Sequence, residues 1–216
     1  MNTIKLISGD QNICYTPSKV LCIGRNYVDH IKELGNEVPD EMVVFIKPNS
    51  AITTSVTSHH LSEQLHYEGE LCFLYEKGRF VAIGFGLDLT KRAQQSVLKG
   101  KGLPWERAKA FDGAAVLSDF VLIDNTETHF NLSLSINNEI KQSGGTSLMM
   151  YQPETILKEL QRFTTLEDGD IVMTGTPKGV GVINTGDHFE ALVTVSEASQ
   201  HSAEKKVLLA CEWVAK

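Results

Sequence analysis

Within the stretch LHYEGELCFLY (65–75), Glu68 and Glu70 sit two positions apart with His66 two positions before them. Side chains alternate between the two faces of a β-strand, so residues 66, 68 and 70 share one face while Tyr67, Gly69 and Leu71 share the other. An isolated E-x-E pair ends more often on a solvated face than in a site. Here the strand runs on as LCFLY, apolar on both faces, which puts the two acids at the rim of something buried. A third acid, Asp88, closes the next apolar run, VAIGFGLDLT, and a turn at EKGRF between the two runs returns it toward Glu70. At an effective dielectric of ~20, two carboxylates ~5 Å apart repel by ~3 kcal/mol, so a cluster of three needs a counter-charge. A divalent cation supplies it, and three oxygen ligands leave positions for water and substrate, which suits Mg²⁺ or Mn²⁺. Neighbouring lysines or a raised carboxyl pKa are the alternatives that spacing leaves open.

Other residues have types and spacings that suit chemistry. His30 and Glu33 fall at i and i+3 of a short helix, where Glu33 can orient the imidazole and stabilise its charged form; an exposed helical pair is the alternative. Arg92 and Gln95 share one face of a helix beginning at Thr90. Lys47 stands between an apolar strand and Pro48, either as a functional group or as a strand-end lysine snorkelling to water. Lys91, Lys99 and Lys101 read as solvated charges. The run TGTPKGVG (174–181) places glycines at 175, 179 and 181 after a strand, and Thr176 can offer a hydroxyl and a backbone N–H to a carboxylate. It lacks the spacing of a P-loop or of a dinucleotide-binding G-x-G-x-x-G, and a plain tight turn is the competing reading.

The elements that must hold these groups are mostly strands. Short β-type runs recur at 20–24, 42–47, 70–75, 80–89, 131–137, 170–175, 188–195 and 206–214, with a hairpin at Asn137-Asn138. Helices are expected over 26–34, 90–99 and 153–163. Because these interrupt a β-rich chain instead of alternating with strands, a doubly wound parallel sheet is disfavoured and a mixed β roll or sandwich fits better. The Ser/Glu/Lys-rich segment 196–206 reads as a surface hairpin loop. The 216 residues suit one catalytic domain over 1–216, with a small β segment at 1–18. A net charge of -7 disfavours nucleic acid as a partner and leaves a small molecule as the expectation. With no stretch approaching ~20 apolar residues and no secretory signal pattern at the start, the expectation is no membrane association and a cytoplasmic location. The four cysteines are widely spaced and read as reduced, buried thiols.

Glu68, Glu70 and Asp88, taken with CIGRNYVDHIKE (22–33), VFIKP (44–48), LDLTKRAQQ (87–95), KGKGLPWERAKAFD (99–112), QSGGTSLM (142–149) and GDIVMTGTPKGVG (169–181), resemble the fumarylacetoacetate hydrolase family across nearly the whole chain. The likeness is strongest to its short acylpyruvate hydrolase and oxaloacetate-acting branch. The resemblance implies an α+β, mainly β fold: a mixed β-sandwich roll with a few short helices, usually a homodimer. It implies Mg²⁺ or Mn²⁺ on Glu68, Glu70 and Asp88, and a 2-oxo acid or 1,3-diketo acid substrate whose enolate the cation stabilises. His30 and Glu33 would activate water or move a proton, with Lys109 beside them in the catalytic set. Arg25, Lys47, Arg92, Gln95 and Lys109 would meet the substrate, and Thr176 its carboxylate. The expected reaction is hydrolysis of an acylpyruvate to pyruvate and a carboxylic acid. The alternatives are oxaloacetate decarboxylation or tautomerisation, isomerisation of 2-hydroxyhepta-2,4-diene-1,7-dioate, and a non-catalytic metal-binding role. The 18 residues from Glu70 to Asp88 make a shorter interval than in many relatives, which bears on the pocket wall.

Overall fold

Alternation of apolar residues on both faces dictates a sheet buried from two sides, and the structure contains one. The computed structural model describes residues 1–9, 11–35, 37–126, 128–196 and 205–216. Among these, a nine-stranded mixed sheet runs Gln11–Tyr15, Ile4–Ser8, Ala115–Leu122, Arg79–Asp88, Gly69–Glu76, Ile171–Met173, Lys19–Gly24 and Val43–Pro48, with Ile52–Thr53 pairing beside Ala115–Leu122. Most neighbours are antiparallel, but Ile4–Ser8 and Ile52–Thr53 run parallel to Ala115–Leu122, and Ile171–Met173 parallel to Lys19–Gly24. A second sheet orders Glu139–Gly145, Phe130–Ile136, His188–Ser196 and Lys205–Val214.

The side-chain period of two sorts the central strands into two cores. Leu71 and Phe73, with Ile83, Phe85 and Leu87 opposite, face the four-stranded sheet and meet Leu132, Leu134, Phe189 and Val193 there. Aromatic pairs mark this contact: Phe73 and Phe130 lie 6.0 Å apart, and Tyr67 and Phe189 5.6 Å, both edge-on. The alternate residues Cys72 and Leu74 pack with Leu6, Val20, Phe120 and Met173. Every buried member of that second core belongs to the nine-stranded sheet, so the sheet curls on itself into a roll. Glu70 shares the face of Cys72 and Leu74, which points it away from the sandwich core.

Four α-helices occur among the described residues: α1 Val28–Glu33, α2 Arg92–Gly100, α3 Glu106–Lys109 and α4 Pro153–Phe163. None is long and apolar enough to cross a membrane. The expected 26–34 helix begins two residues later because Arg25 takes a left-handed φ of 56° and Asn26 is buried. The Asn26 amide instead donates to Thr174 O and Tyr151 O and accepts from Tyr151 N, which ties the entrance of α1 to two distant segments. The central strand Ala115–Leu122 and helix α3 were not expected. The cysteines are free, as expected, but Cys14 is exposed, not buried. The expected loop at 196–206 falls largely on 197–204, outside the described residues.

Candidate active site

The acidic run is not one continuous strand. His66–Tyr67 and Gly69–Glu76 are separate strands with Glu68 between them. Gly69 pairs with Leu87 and Glu70 with Gly86, while Asp88 N donates to Glu68 O at 2.9 Å. Asp88 therefore stands across from Glu68, one ladder step from Glu70, and all three side chains project from the same face. One oxygen from each lies within 4.8 Å of the others, and all three residues are at least 94% buried.

Both counter-charges left open by the sequence are present. Lys109 Nζ lies 2.9 Å from Glu68 Oε2 and 2.7 Å from Asp88 Oδ2. Arg92 Nη2 donates to Glu68 Oε1, and its Nη1 donates to Gln95 Oε1 at 2.8 Å. Burial pushes the Glu68 carboxyl up, but the Lys109 ammonium and Arg92 guanidinium outweigh it and hold the group well below the usual carboxylate range. Glu70 has no such partner: Gly175 N donates to its Oε2 at 2.7 Å, and burial, then the charges of Asp88 and Glu68, drive its carboxyl well above the usual range. Asp88 Oδ1 lies 2.8 Å from Lys47 Nζ yet outside hydrogen-bond geometry, so it remains a buried oxygen without a hydrogen-bond partner. Asp88 Oδ1, without a hydrogen bond, converges with oxygens of Glu68 and Glu70 as a candidate ligand set. The all-oxygen donor set fits a hard divalent ion.

His30 is 6% exposed on α1, and its Nδ1 lies 3.3 Å from Glu33 Oε2. Burial lowers the imidazole pKa against the opposing pull of Glu68 and Glu33, so the free base prevails at neutral pH. With Nδ1 bonded to Glu33, Nε2 is the nitrogen left for a substrate. Glu33 is fixed in turn from a segment 146 residues away: Gly179 N donates to its Oε1 at 2.9 Å and its Oε2 at 3.1 Å. Gly179 has φ 99°, and a Cβ there would come 1.9 Å from Lys141 O, so no other residue fits this turn.

Of the residues singled out from the sequence, all but Glu33 and Lys47 line one cavity of about 420 Å³, open mouth included. Three placements add detail to the expectations. Lys47 does not reach the cavity; it is fully buried behind Asp88 and donates to Lys109 O and, at 3.0 Å, to Ala114 O. Lys109 lines the cavity and donates its three N–H groups to Glu68, Asp88 and Thr90 Oγ1, the last at 2.6 Å, which neutralises the acids. The Thr176 hydroxyl is committed as well, donating to Gly69 O at 2.9 Å and accepting from Gln142 Nε2 at 2.7 Å, which leaves its backbone N–H for a carboxylate.

Sequence reasoning also missed groups that hold the site together. Lys99, read as solvated, lines the cavity with Trp105. Gln142 is 1% exposed, accepts from Gly69 N at 2.8 Å and donates to Pro177 O at 2.8 Å, clamping the glycine loop onto the acidic strand. No alternation marked it, because Glu139, Ile140 and Lys141 before it are all exposed. Lys91, also read as solvated, is 8% exposed and lies 3.3 Å from Glu63.

Comparison with known proteins follows the same outline. The profile of the fumarylacetoacetate (FAA) hydrolase C-terminal family matches residues 19–201. The chain is 40% identical over 194 residues to the oxaloacetate tautomerase YcgM of Escherichia coli, covering 81% of this chain and 88% of that protein. It is 35% identical over 196 residues to a mitochondrial oxaloacetate decarboxylase of Dictyostelium discoideum, covering 83% and 90% respectively. Among solved structures, a fumarylpyruvate hydrolase from Pseudomonas aeruginosa, in complex with Mn²⁺ and pyruvate, superposes with a TM-score of 0.83 at 26% identity. That match covers 99% of this chain and 95% of the other.

Proposed function

The chain belongs to the fumarylacetoacetate hydrolase family, and from that premise we propose that it is a divalent-metal-dependent enzyme interconverting the keto and enol forms of a small 2-oxo acid of the oxaloacetate type. The observation that carries this reading is a buried His30, tethered by Glu33, on the same cavity as three convergent carboxylates. Mg²⁺ or Mn²⁺ on Glu68, Glu70 and Asp88 would supply Lewis acidity to the oxygens of the 2-oxo acid and so acidify the adjacent C3–H.

The chain's own residues then have separable tasks. Lys109 and Arg92 keep Glu68 ionised, and Lys47 and Lys109 flank Asp88, so those two carboxylates stay available as ligands. His30 Nε2 accepts the C3 proton as its electron pair moves toward the carbonyl oxygen. The imidazolium then passes that proton through water to the enolate oxygen, which gives the enol and restores the free base; in the opposite direction His30 takes the enol O–H proton by the same route and delivers it to C3. Glu33 holds the ring in the tautomer this needs. The similarity to proteins named as oxaloacetate tautomerases supports the assignment of the proton transfer as the whole reaction.

Hydrolysis of an acylpyruvate is the second reading. It is favoured by Glu33, whose side chain is 33% exposed and links the imidazole to solvent, and by likeness to a fumarylpyruvate hydrolase. There His30 would take a proton from water as the oxygen adds to the distal carbonyl; the C–C bond then breaks with its electron pair left on C3 of pyruvate enolate.

Oxaloacetate and acetylpyruvate assayed side by side separate the two. The first reading predicts faster decay of the enol absorbance of oxaloacetate, and a loss of about 10²–10⁴-fold in His30→Asn. Release of acetate with pyruvate at an equal or higher kcat/KM would establish the second, and an undiminished His30→Asn rate would reject His30 as the proton carrier.

A further inference from the structure

One side chain outside the cavity holds two of its parts in register. Gln142, on the strand Glu139–Gly145, is 1% exposed and divides its amide among three partners. Its Oε1 accepts from Gly69 N at 2.8 Å, and its Nε2 donates to Thr176 Oγ1 at 2.7 Å and to Pro177 O at 2.8 Å. Thr176 Oγ1 in turn donates to Gly69 O at 2.9 Å. Both backbone groups of Gly69 are thereby held, and Gly69, Gln142 and Thr176 close a ring of three hydrogen bonds between the acidic strand and the glycine loop. A buried polar ring whose members are all satisfied rigidifies what it joins. The same strand packs beneath the loop: a Cβ on Gly144 would come 2.8 Å from Pro177 Cβ, just as one on Gly179 would meet Lys141 O.

The loop backbone on either side of the ring reaches the two halves of the site. Before it, Gly175 N donates to Glu70 Oε2 at 2.7 Å. After it, Gly179 N donates to both oxygens of Glu33, whose Oε2 lies 3.3 Å from His30 Nδ1. We propose that Gln142 is a positioning residue that acts through this one loop on both halves, setting the orientation of Glu70 as a metal ligand and the reach of His30 toward the substrate. The first task stands on the carboxylate geometry; the second rests on the keto–enol reading for what His30 does there. Loss of a partner one step removed from a metal typically costs about 10–100-fold in affinity or activity.

The test sets Gln142→Met, which keeps the length of the side chain and removes its hydrogen bonds, beside Leu157→Ala, which truncates a buried residue of α4 that does not line the cavity. Both lower stability, so the comparison separates positioning from stability alone. Amide hydrogen exchange at Gly175 and Gly179 is followed by NMR, Mn²⁺ affinity by calorimetry and kcat by enol decay of oxaloacetate. In Gln142→Met exchange quickens at both glycines, Mn²⁺ binds about 10–100-fold more weakly and kcat falls by a similar factor, while Leu157→Ala stays near wild type in all three. Thr176→Val breaks the same ring from the loop side, gives the same pattern, and serves if Gln142→Met does not fold. Wild-type Mn²⁺ affinity and wild-type exchange at both glycines in either ring variant overturn the proposal. So does a change confined to one glycine, or a loss of affinity and rate that Leu157→Ala matches. A wild type without enol decay, with Gln142→Met still losing Mn²⁺ affinity and protection at both glycines, leaves the positioning role standing and removes the keto–enol reading.

Discussion

Replacing Lys109 with Met removes an ammonium that is 2% exposed and bridges two carboxylates, at 2.9 Å from Glu68 and 2.7 Å from Asp88. Stripping one partner from a buried ion pair costs on the order of 3–5 kcal/mol, because the remaining charge stays desolvated. Arg92 still holds Glu68 and Lys47 still lies 2.8 Å from Asp88, so about 3–5 kcal/mol is an upper bound, and the oxygens that lose Lys109 can be relieved by the uptake of one proton. For a carboxyl with an unfolded pKa of about 4.3, remaining neutral in the folded protein costs about 3.7 kcal/mol at pH 7 but only about 1 kcal/mol at pH 5. The sign follows: in the variant the unfolded chain releases a proton that the folded chain keeps, so stability falls as pH rises above the unfolded pKa. In the wild type Glu68 is ionised in both states across this range, its folded pKa being depressed. The deficit of Lys109→Met therefore narrows by about 2.7 kcal/mol between pH 7 and pH 5, or on the order of 8 °C in Tm for a chain of this size. The assay is thermal unfolding of both proteins in chelator at the two pH values. A second arm uses Glu68→Gln: the double variant should be more stable at pH 7 than Lys109→Met alone, since the charge left stranded has gone. A variant that melts within about 2 °C of wild type at pH 7, or a deficit that does not change with pH, would refute the view that Lys109 neutralises the acids.

Three further outcomes follow from the same geometry. Because Glu70 is held protonated in the metal-free site by burial and by Asp88 and Glu68, Mn²⁺ binding should release a proton, so affinity rises with pH; calorimetry in two buffers of different ionisation enthalpy counts it, and Glu70→Gln should abolish it. Gln142→Leu leaves Gly69 N and Pro177 O unsatisfied and should destabilise by about 2–4 kcal/mol, measured by urea unfolding. Gly179→Ala cannot keep a turn in which its Cβ would meet Lys141 O at 1.9 Å, so the Glu33 tether slips; kcat should fall while Mn²⁺ affinity, set by other residues, changes little in calorimetry.

Local chemistry made much of this molecule legible in advance. Helix α4 begins and ends where Pro153 and the apolar spacing of Ile156, Leu157, Leu160 and Phe163 place it. The hairpin at Asn137 and Asn138 uses the positive φ that asparagine tolerates, 52° and 66°. Alternation put Glu68 and Glu70 on one face, and the turn at Lys77-Gly78 returned Asp88 to them. What stayed hidden depends on partners far along the chain. In Ala115–Leu122 the polar pair Ser118-Asp119 interrupts the apolar pattern, and only the structure shows why: Ser118 Oγ accepts from Phe85 N at 2.9 Å where the adjoining ladder shifts register. Helix α3 spans four residues, too few for a helical period to register. Lys47, Lys99 and Lys109 are alike as letters; buried behind Asp88, packed on Trp105, and bridging two acids, they differ only through tertiary contacts.

The most direct measurement is the rate of oxaloacetate enol decay in protein stripped with chelator, then resupplied with Mn²⁺ or Mg²⁺, in wild type and in Asp88→Asn, with bound metal quantified in parallel. The account predicts that catalysis above the protein-free rate vanishes with the metal, returns on resupply in the wild type, and returns weakly or not at all in Asp88→Asn. Full catalysis by metal-free protein, or by Asp88→Asn with no metal bound, would contradict it.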